Sequence, residues 1–272
     1  MLDEVQGTLV GRWYVSLFGI AFVVLAIRDL GWRRTALFVL ASLGIGLLAE
    51  NASVHFGIPY TRYEFEPGLR GEEVWVGDVP IMVPLSYGFM VYFAFAAGRL
   101  LATGPHHTRA ARRWHEWLLA EVLAVWALWV LDPMSQRGAR FYLGELFSYD
   151  GPGFWFGLPL GSQVGFALTA AVQLAVLFAM TRHEPDRRLG SIWQHPGLPA
   201  IVVYQVQVFH LVAIAFWLGG ADLHRLGGAA LLVWFPVAAL TAVHWSGLAA
   251  VEQARSESRA DGVPVPASVP LR

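Results

Sequence analysis

The sequence predicts an all-α, polytopic integral membrane protein, a bundle of about seven transmembrane helices with the N-terminus outside and the C-terminus in the cytoplasm. Three observations predict it. The 272 residues are 56% hydrophobic and 14% charged, with mean hydropathy +0.50, whereas a soluble domain carries about a quarter charged residues. Seven apolar segments approach the roughly 20 residues that an α-helix needs to cross the hydrocarbon core. Arginines gather in alternate connections between those segments.

The segments are roughly 9–28, 35–50, 79–102, 114–132, 156–181, 198–219 and 227–251. The second is short and is expected to extend past Glu50 or to sit within the bundle. The connection after the first holds Arg28, Arg33 and Arg34, and that after the third Arg99, Arg109, Arg112 and Arg113. Arg182, Arg187 and Arg188 follow the fifth, and Arg255, Arg259 and Arg272 follow the seventh. That places thirteen arginines on one side against six on the other. Positive residues in short loops stay cytoplasmic, which sets the orientation. Residues 1–251 are expected to form one transmembrane domain in the cell membrane. Residues 252–272, charged and then rich in Pro, Val and Ser, are expected to be a disordered cytoplasmic tail. The start of the chain, with Asp3 and Glu4, lacks the basic region of a signal peptide.

Two outer connections are long, about 50–78 and 133–155, and rich in aromatic residues, Gly and Pro. That composition predicts loops that fold back and cap the bundle. Segment 156–181 opens with Pro159 and carries Gly161, Gly165 and Thr169 at four-residue spacing. Small residues so spaced predict close helix packing in lipid.

Composition also excludes chemistry. Cysteine is absent, which removes disulfides, thiolate metal sites and a cysteine nucleophile. Lysine is absent too, which removes Schiff-base catalysis. A net charge of −1 points to no nucleic-acid partner. No acidic cluster for magnesium and a diphosphate, no Gly-rich phosphate loop, no dinucleotide fingerprint and no HExxH is present. His106-His107 lacks the spacing of a multi-histidine iron site. The expectation is therefore no metal and no cofactor, with acid–base chemistry on a long apolar molecule taken from the bilayer.

Polar groups inside spans are costly in lipid and mark function. The stretch from Glu50 to Tyr87 concentrates carboxylates, a histidine and tyrosines at a membrane boundary, and is expected to form much of one wall of the site. Glu121 and Asp132, three turns apart, share a helix face. Tyr204, Gln205, Gln207, His210 and Trp217, then Trp234, Thr241, His244 and Trp245, add polar and aromatic stripes expected to face a central cavity. Glu50 and Asp132 stand at the C-terminal ends of their helices. The helix dipole and an apolar surrounding both favour the neutral acid there, and a neutral carboxylic acid is a proton donor.

Several blocks are similar to one family. They are Glu50-Asn51 with His55-Phe56-Gly57-Ile58-Pro59-Tyr60 and Tyr63; Val79-Pro80-Ile81-Met82-Val83-Pro84-Leu85-Ser86-Tyr87 with Met90 and Tyr92; Asp132-Pro133; and Gly153-Phe154-Trp155-Phe156-Gly157-Leu158-Pro159-Leu160. In order and spacing the chain resembles the CruF-type carotenoid biosynthesis proteins, which include carotenoid 1,2-hydratases and bisanhydrobacterioruberin hydratases. It departs from their pattern at Gly161-Ser162-Gln163, where an Asn is expected, and at Gly165-Phe166, where Gly-Trp is expected. The resemblance implies an integral membrane enzyme working beside other carotenoid-pathway enzymes. It also implies a hydratase that adds water to a terminal isoprenoid double bond.

The residues suit that chemistry. An unactivated trisubstituted alkene must be protonated to a tertiary carbocation by a strong, positioned acid, and aromatic faces steady the cation. Asp132 or Glu50 is the expected donor. His55 is expected to orient the acid or to take the proton from water, with Asp78 and Tyr87 beside them. Trp126, Trp129, Trp155 and Tyr149 are expected to stabilise the cation or hold the polyene, with His210 as a deep contact. Two alternatives share the features: a protonation-initiated terpenoid cyclase, and a non-catalytic carrier of apolar lipid.

Overall fold

The computed structural model describes residues 2–103, 107–110, 112–136, 145–149, 153–189 and 194–260. After a short helix, α1 (Leu2–Gln6), come seven long helices: α2 (Trp13–Leu30), α3 (Trp32–Phe56), α4 (Met82–Thr103), α5 (Arg113–Ser135), α6 (Leu160–Met180), α7 (Gly197–Leu218) and α8 (Ala221–Ala260). Each contains a stretch long and apolar enough to cross a membrane. The chain is an all-α, multi-pass membrane bundle.

The second span extends past Glu50, one of the two arrangements expected from its shortness. Nothing in Asn51-Ala52-Ser53-Val54-His55-Phe56 breaks a helix, and α3 stops only where Gly57 adopts a left-handed φ of 73°. Glu50 consequently lies inside the helix rather than at its end. At the other terminus α8 runs through Ala260, so residues 252–260, expected in the tail, are helical. Val251-Glu252-Gln253-Ala254-Arg255 favours helix, and the first breaker is Gly262. The remainder of the expected tail, 261–272, lies outside the described residues.

Helix α4 is the axis. Apart from Arg99 it is apolar on nearly every face, and Tyr87 through Leu100 is continuously buried, the pattern of a helix surrounded on every side. Helices α2, α3, α5, α6 and α7 pack around it, and α8 packs mainly on α7. The outer faces expose large apolar residues such as Leu17, Ile20, Leu232 and Phe235, as lipid contact demands.

The two long connections do fold back, and they join. Strand β1 (Tyr63–Phe65) lies in the first, followed by a hairpin of β2 (Trp75–Val76) and β3 (Val79–Pro80) that leads into α4. Strand β4 (Phe147–Tyr149) lies in the second and pairs antiparallel with β1, setting Tyr63 opposite Tyr149 and Phe65 opposite Phe147. Their rings interlock, with Tyr63 5.2 Å from Tyr149 and 5.5 Å from Phe147 between centroids. The N-terminal segment ties the hairpin down. Arg12 Nε donates to Glu73 at 2.7 Å, and Val74 N–H donates to Thr8 Oγ1 at 2.8 Å.

The small residues of α6 pack closely, as their spacing predicts, but the partner is the cap rather than another helix. A Cβ on Gly165 would lie 2.4 Å from the Tyr60 ring and 2.7 Å from the Pro59 carbonyl oxygen. Tyr60 O–H reaches Thr169 Oγ1 at 3.0 Å, and its N–H donates to Ser53 Oγ at 3.0 Å. The spacing of small residues thus seats a loop and aims one tyrosine.

Candidate active site

Beneath the cap lies a cavity. Its floor and walls come from α2 (Tyr14, Val15, Phe18), α4 (Ser86, Tyr87, Phe89, Met90), Phe166 of α6 and Leu211 of α7. Its roof is Tyr60 with Tyr63 and Phe65 of β1 and Phe147 and Tyr149 of β4. Into this apolar and aromatic space project two carboxyls, Glu50 from α3 and Asp132 from α5.

Both are buried, Glu50 with 2% and Asp132 with 6% of its surface exposed. Tyr87 O–H donates to Glu50 Oε1. Asp132 Oδ2 has no hydrogen-bond partner among the described residues. Neither carboxyl forms an ion pair among the described residues. Arg12 also lines the cavity, but its guanidinium is held by Glu73. Burial opposes the charge on Arg12, and the hydrogen bond and charge of Glu73 outweigh it, so the guanidinium stays protonated. In the cap, burial raises the phenols of Tyr60 and Tyr149 above their usual range, which keeps both neutral. Tyr149 O–H donates to Ser162 Oγ at 2.9 Å.

The local sequence explains how Asp132 is held. Pro133 inside α5 lacks an N–H, which leaves the carbonyl of Trp129, four residues earlier, without its helical donor. Trp155 Nε1 donates to that carbonyl at 3.0 Å. Trp126, Trp129, Trp155 and Phe156 then form a chain of ring contacts. These tryptophans were expected to face the substrate. They are absent from the cavity lining and instead brace the end of α5 that carries Asp132.

Of the other expected site residues, Tyr87, Tyr149 and His210 line the cavity. His55 and Asp78 do not. They sit on the outer surface of the cap, 3.2 Å apart, with Arg70 also bound to Asp78 and stacked 4.4 Å over the Trp75 ring. Glu121 lies farther along α5, outside the lining. Trp217, expected to face inward, is 75% exposed, and Thr241 accepts from Gln205 at 3.3 Å. The side chains of His244 and Trp245 lie outside the described residues. Sequence reasoning assigned no role to Tyr14, Phe18, Phe65, Phe89, Phe147 or Phe166, which supply most of the aromatic surface. Only the aromatic richness of the two long connections signalled any of it. Among the described residues no group of three or more His, Asp or Glu side chains is placed to hold a metal ion.

No curated protein and no solved structure matches the chain. A family model described as "Carotenoid biosynthesis protein" matches residues 11–236 of the 272, a span that contains every cavity residue named above. The chain therefore belongs to the carotenoid biosynthesis protein family and acts in that biosynthesis as a multi-pass membrane protein.

Proposed function

We propose that the protein is a hydratase that adds water to a terminal isoprenoid double bond of an acyclic carotenoid or related terpenoid. The observation that carries this reading is the pair of buried carboxyls, free of ion pairs among the described residues, in an aromatic cavity at one end of a membrane bundle. The reaction needs one neutral carboxylic acid and one acceptor. Two carboxyls in a single apolar cavity supply both when they share one proton, because like charges there disfavour double ionisation.

Glu50 gives its proton to the less substituted alkene carbon, and a tertiary carbocation forms at the other. Tyr87 donates to the carboxylate left behind, which stabilises charge where it develops. The faces of the Tyr and Phe residues around the cavity steady the cation. A water oxygen bonds to the cationic carbon, Asp132 takes the released proton, and the proton returns to Glu50 before the next turnover. The sum is alkene plus water to tertiary alcohol, with no cofactor consumed. The aromatic lining also suits the runner-up, in which a neighbouring double bond captures the same cation and closes a ring.

The test is the product mass after expression in a host that makes lycopene and other acyclic terpenoids. A gain of one water on an acyclic carotenoid is expected. A cyclic isomer of unchanged mass would replace the hydratase with the cyclase. No conversion by protein shown to be in the membrane would leave a carrier of apolar lipid.

A further inference from the structure

The fate of the carbocation depends on whether a water molecule is held beside it. Two buried acceptor atoms on the cavity wall have no hydrogen-bond partner among the described residues: Asp132 Oδ2 and Gln207 Oε1. They come from α5 and α7, which pack against each other. Gln207, like Asp132, is only 6% exposed. Unpaired buried acceptors are rare and call for a donor.

Four wall donors are committed elsewhere. Tyr87 O–H serves Glu50, Tyr60 O–H serves Thr169, Tyr149 O–H serves Ser162, and Ser135 Oγ donates to the Leu131 carbonyl. The two acceptors match the two donor hydrogens of one water molecule. Most of the remaining wall is aromatic or aliphatic, with Arg12, Ser86 and His210 as further polar members, and a water held through both hydrogens keeps its oxygen lone pairs for the substrate.

We propose that Gln207 and Asp132 together bind the water that captures the cation, and that Gln207 is the residue that fixes hydration as the outcome. This rests on the hydratase reading above. One water hydrogen is held by Gln207 Oε1 and the other by Asp132 Oδ2. As the C–O bond forms, the proton facing Asp132 passes to its carboxylate, and the second stays on the product hydroxyl. Without Gln207 the water is not held, and the cation loses a proton back to the acid.

The test compares wild type with Gln207→Leu, acting on an acyclic carotenoid in deuterated water. Wild type yields the hydrated product. Gln207→Leu removes the acceptor at similar volume and is expected to lower that product at least tenfold. The recovered alkene is expected to gain deuterium at its vinyl carbon, because protonation continues and reverses. Gln207→Glu keeps an acceptor oxygen and is expected to restore hydration. Wild-type hydration by Gln207→Leu would overturn the proposal. Loss of both hydration and deuterium exchange in a variant with the wild-type melting midpoint would overturn it too. If Gln207→Leu melts early, Gln207→Met carries the same comparison. If wild type itself forms no hydrated product, the hydratase reading has failed and this proposal falls with it.

Discussion

At one end of the bundle the carboxylates Asp29, Glu116 and Glu184 each face arginine. Arg99 lies 2.5 Å from Asp29, Arg109 and Arg113 each 3.8 Å from Glu116, and Arg34 and Arg109 both bind Glu184. At the capped end Glu50 and Asp132 face a tyrosine hydroxyl, aromatic rings and a glutamine. Asp29 and Glu116, whose side chains are buried about as deeply as Glu50 and Asp132, thus have opposite surroundings to that pair. A carboxylate fixed by a guanidinium holds its charge and cannot readily exchange a proton. A carboxyl set among aromatic rings is costly to bury as an anion and is kept where proton transfer is its use. On the proposed reading, ion pairing separates the structural carboxylates from the reactive ones better than burial does.

Variants that remove one member of each set test that division. The largest effect is expected from Glu50→Gln and Asp132→Asn. Each should lower turnover about 10³-fold, the scale of a lost general acid or base, with an unchanged melting midpoint. Wild-type product formation by both would end the comparison. Arg99→Met should do the reverse. Leaving Asp29 buried and unpaired is expected to cost about 3–5 kcal/mol of stability, read as a lowered midpoint, while the folded fraction keeps its turnover. Gly165→Ala belongs between the two classes. Its new methyl would press on the Tyr60 ring, with an expected loss of about 1–3 kcal/mol and a fall in turnover as the roof shifts. The smallest effect is expected from His55→Asn. Its partner pair on the cap surface is half exposed, so stability should change by less than about 0.5 kcal/mol and the product yield should hold. A collapse of turnover in His55→Asn would return the histidine to the reaction and enlarge the site beyond the cavity.

The sequence made the spans legible because crossing lipid demands length and apolarity together. Helix ends were less legible. The shortness of the second span pointed past Glu50 but not to Phe56 as the end of α3, and nothing stopped α8 before Ala260. Glu50 and Asp132 could each be singled out as polar groups near a membrane boundary, but not as neighbours on one cavity, since that depends on how α3, α4 and α5 pack. His55 looked equally suitable by position. It lies five residues beyond Glu50, about 140° around α3, whereas Ser53, three residues on, is only about 60° away and stays on the inner face. The conspicuous tryptophans drew the expectation of cation binding. Their indole N–H groups need acceptors, and at Trp155 that need is met by the carbonyl that Pro133 leaves free. The residues that line the roof meet only through the pairing of β1 with β4, which no local pattern announces.

That pairing has a consequence for how the protein is made. The roof strands belong to different connections, and the Tyr60–Thr169 contact spans 109 residues of chain. Contacts of such range form late, after the loops they close are already constrained. The spanning helices can enter the bilayer in sequence as they are synthesised, but the chamber does not exist until the first half of the chain meets the second. Closure of the chamber is therefore a maturation event separate from membrane insertion, and on the proposed reading the appearance of activity marks the moment when assembly is complete.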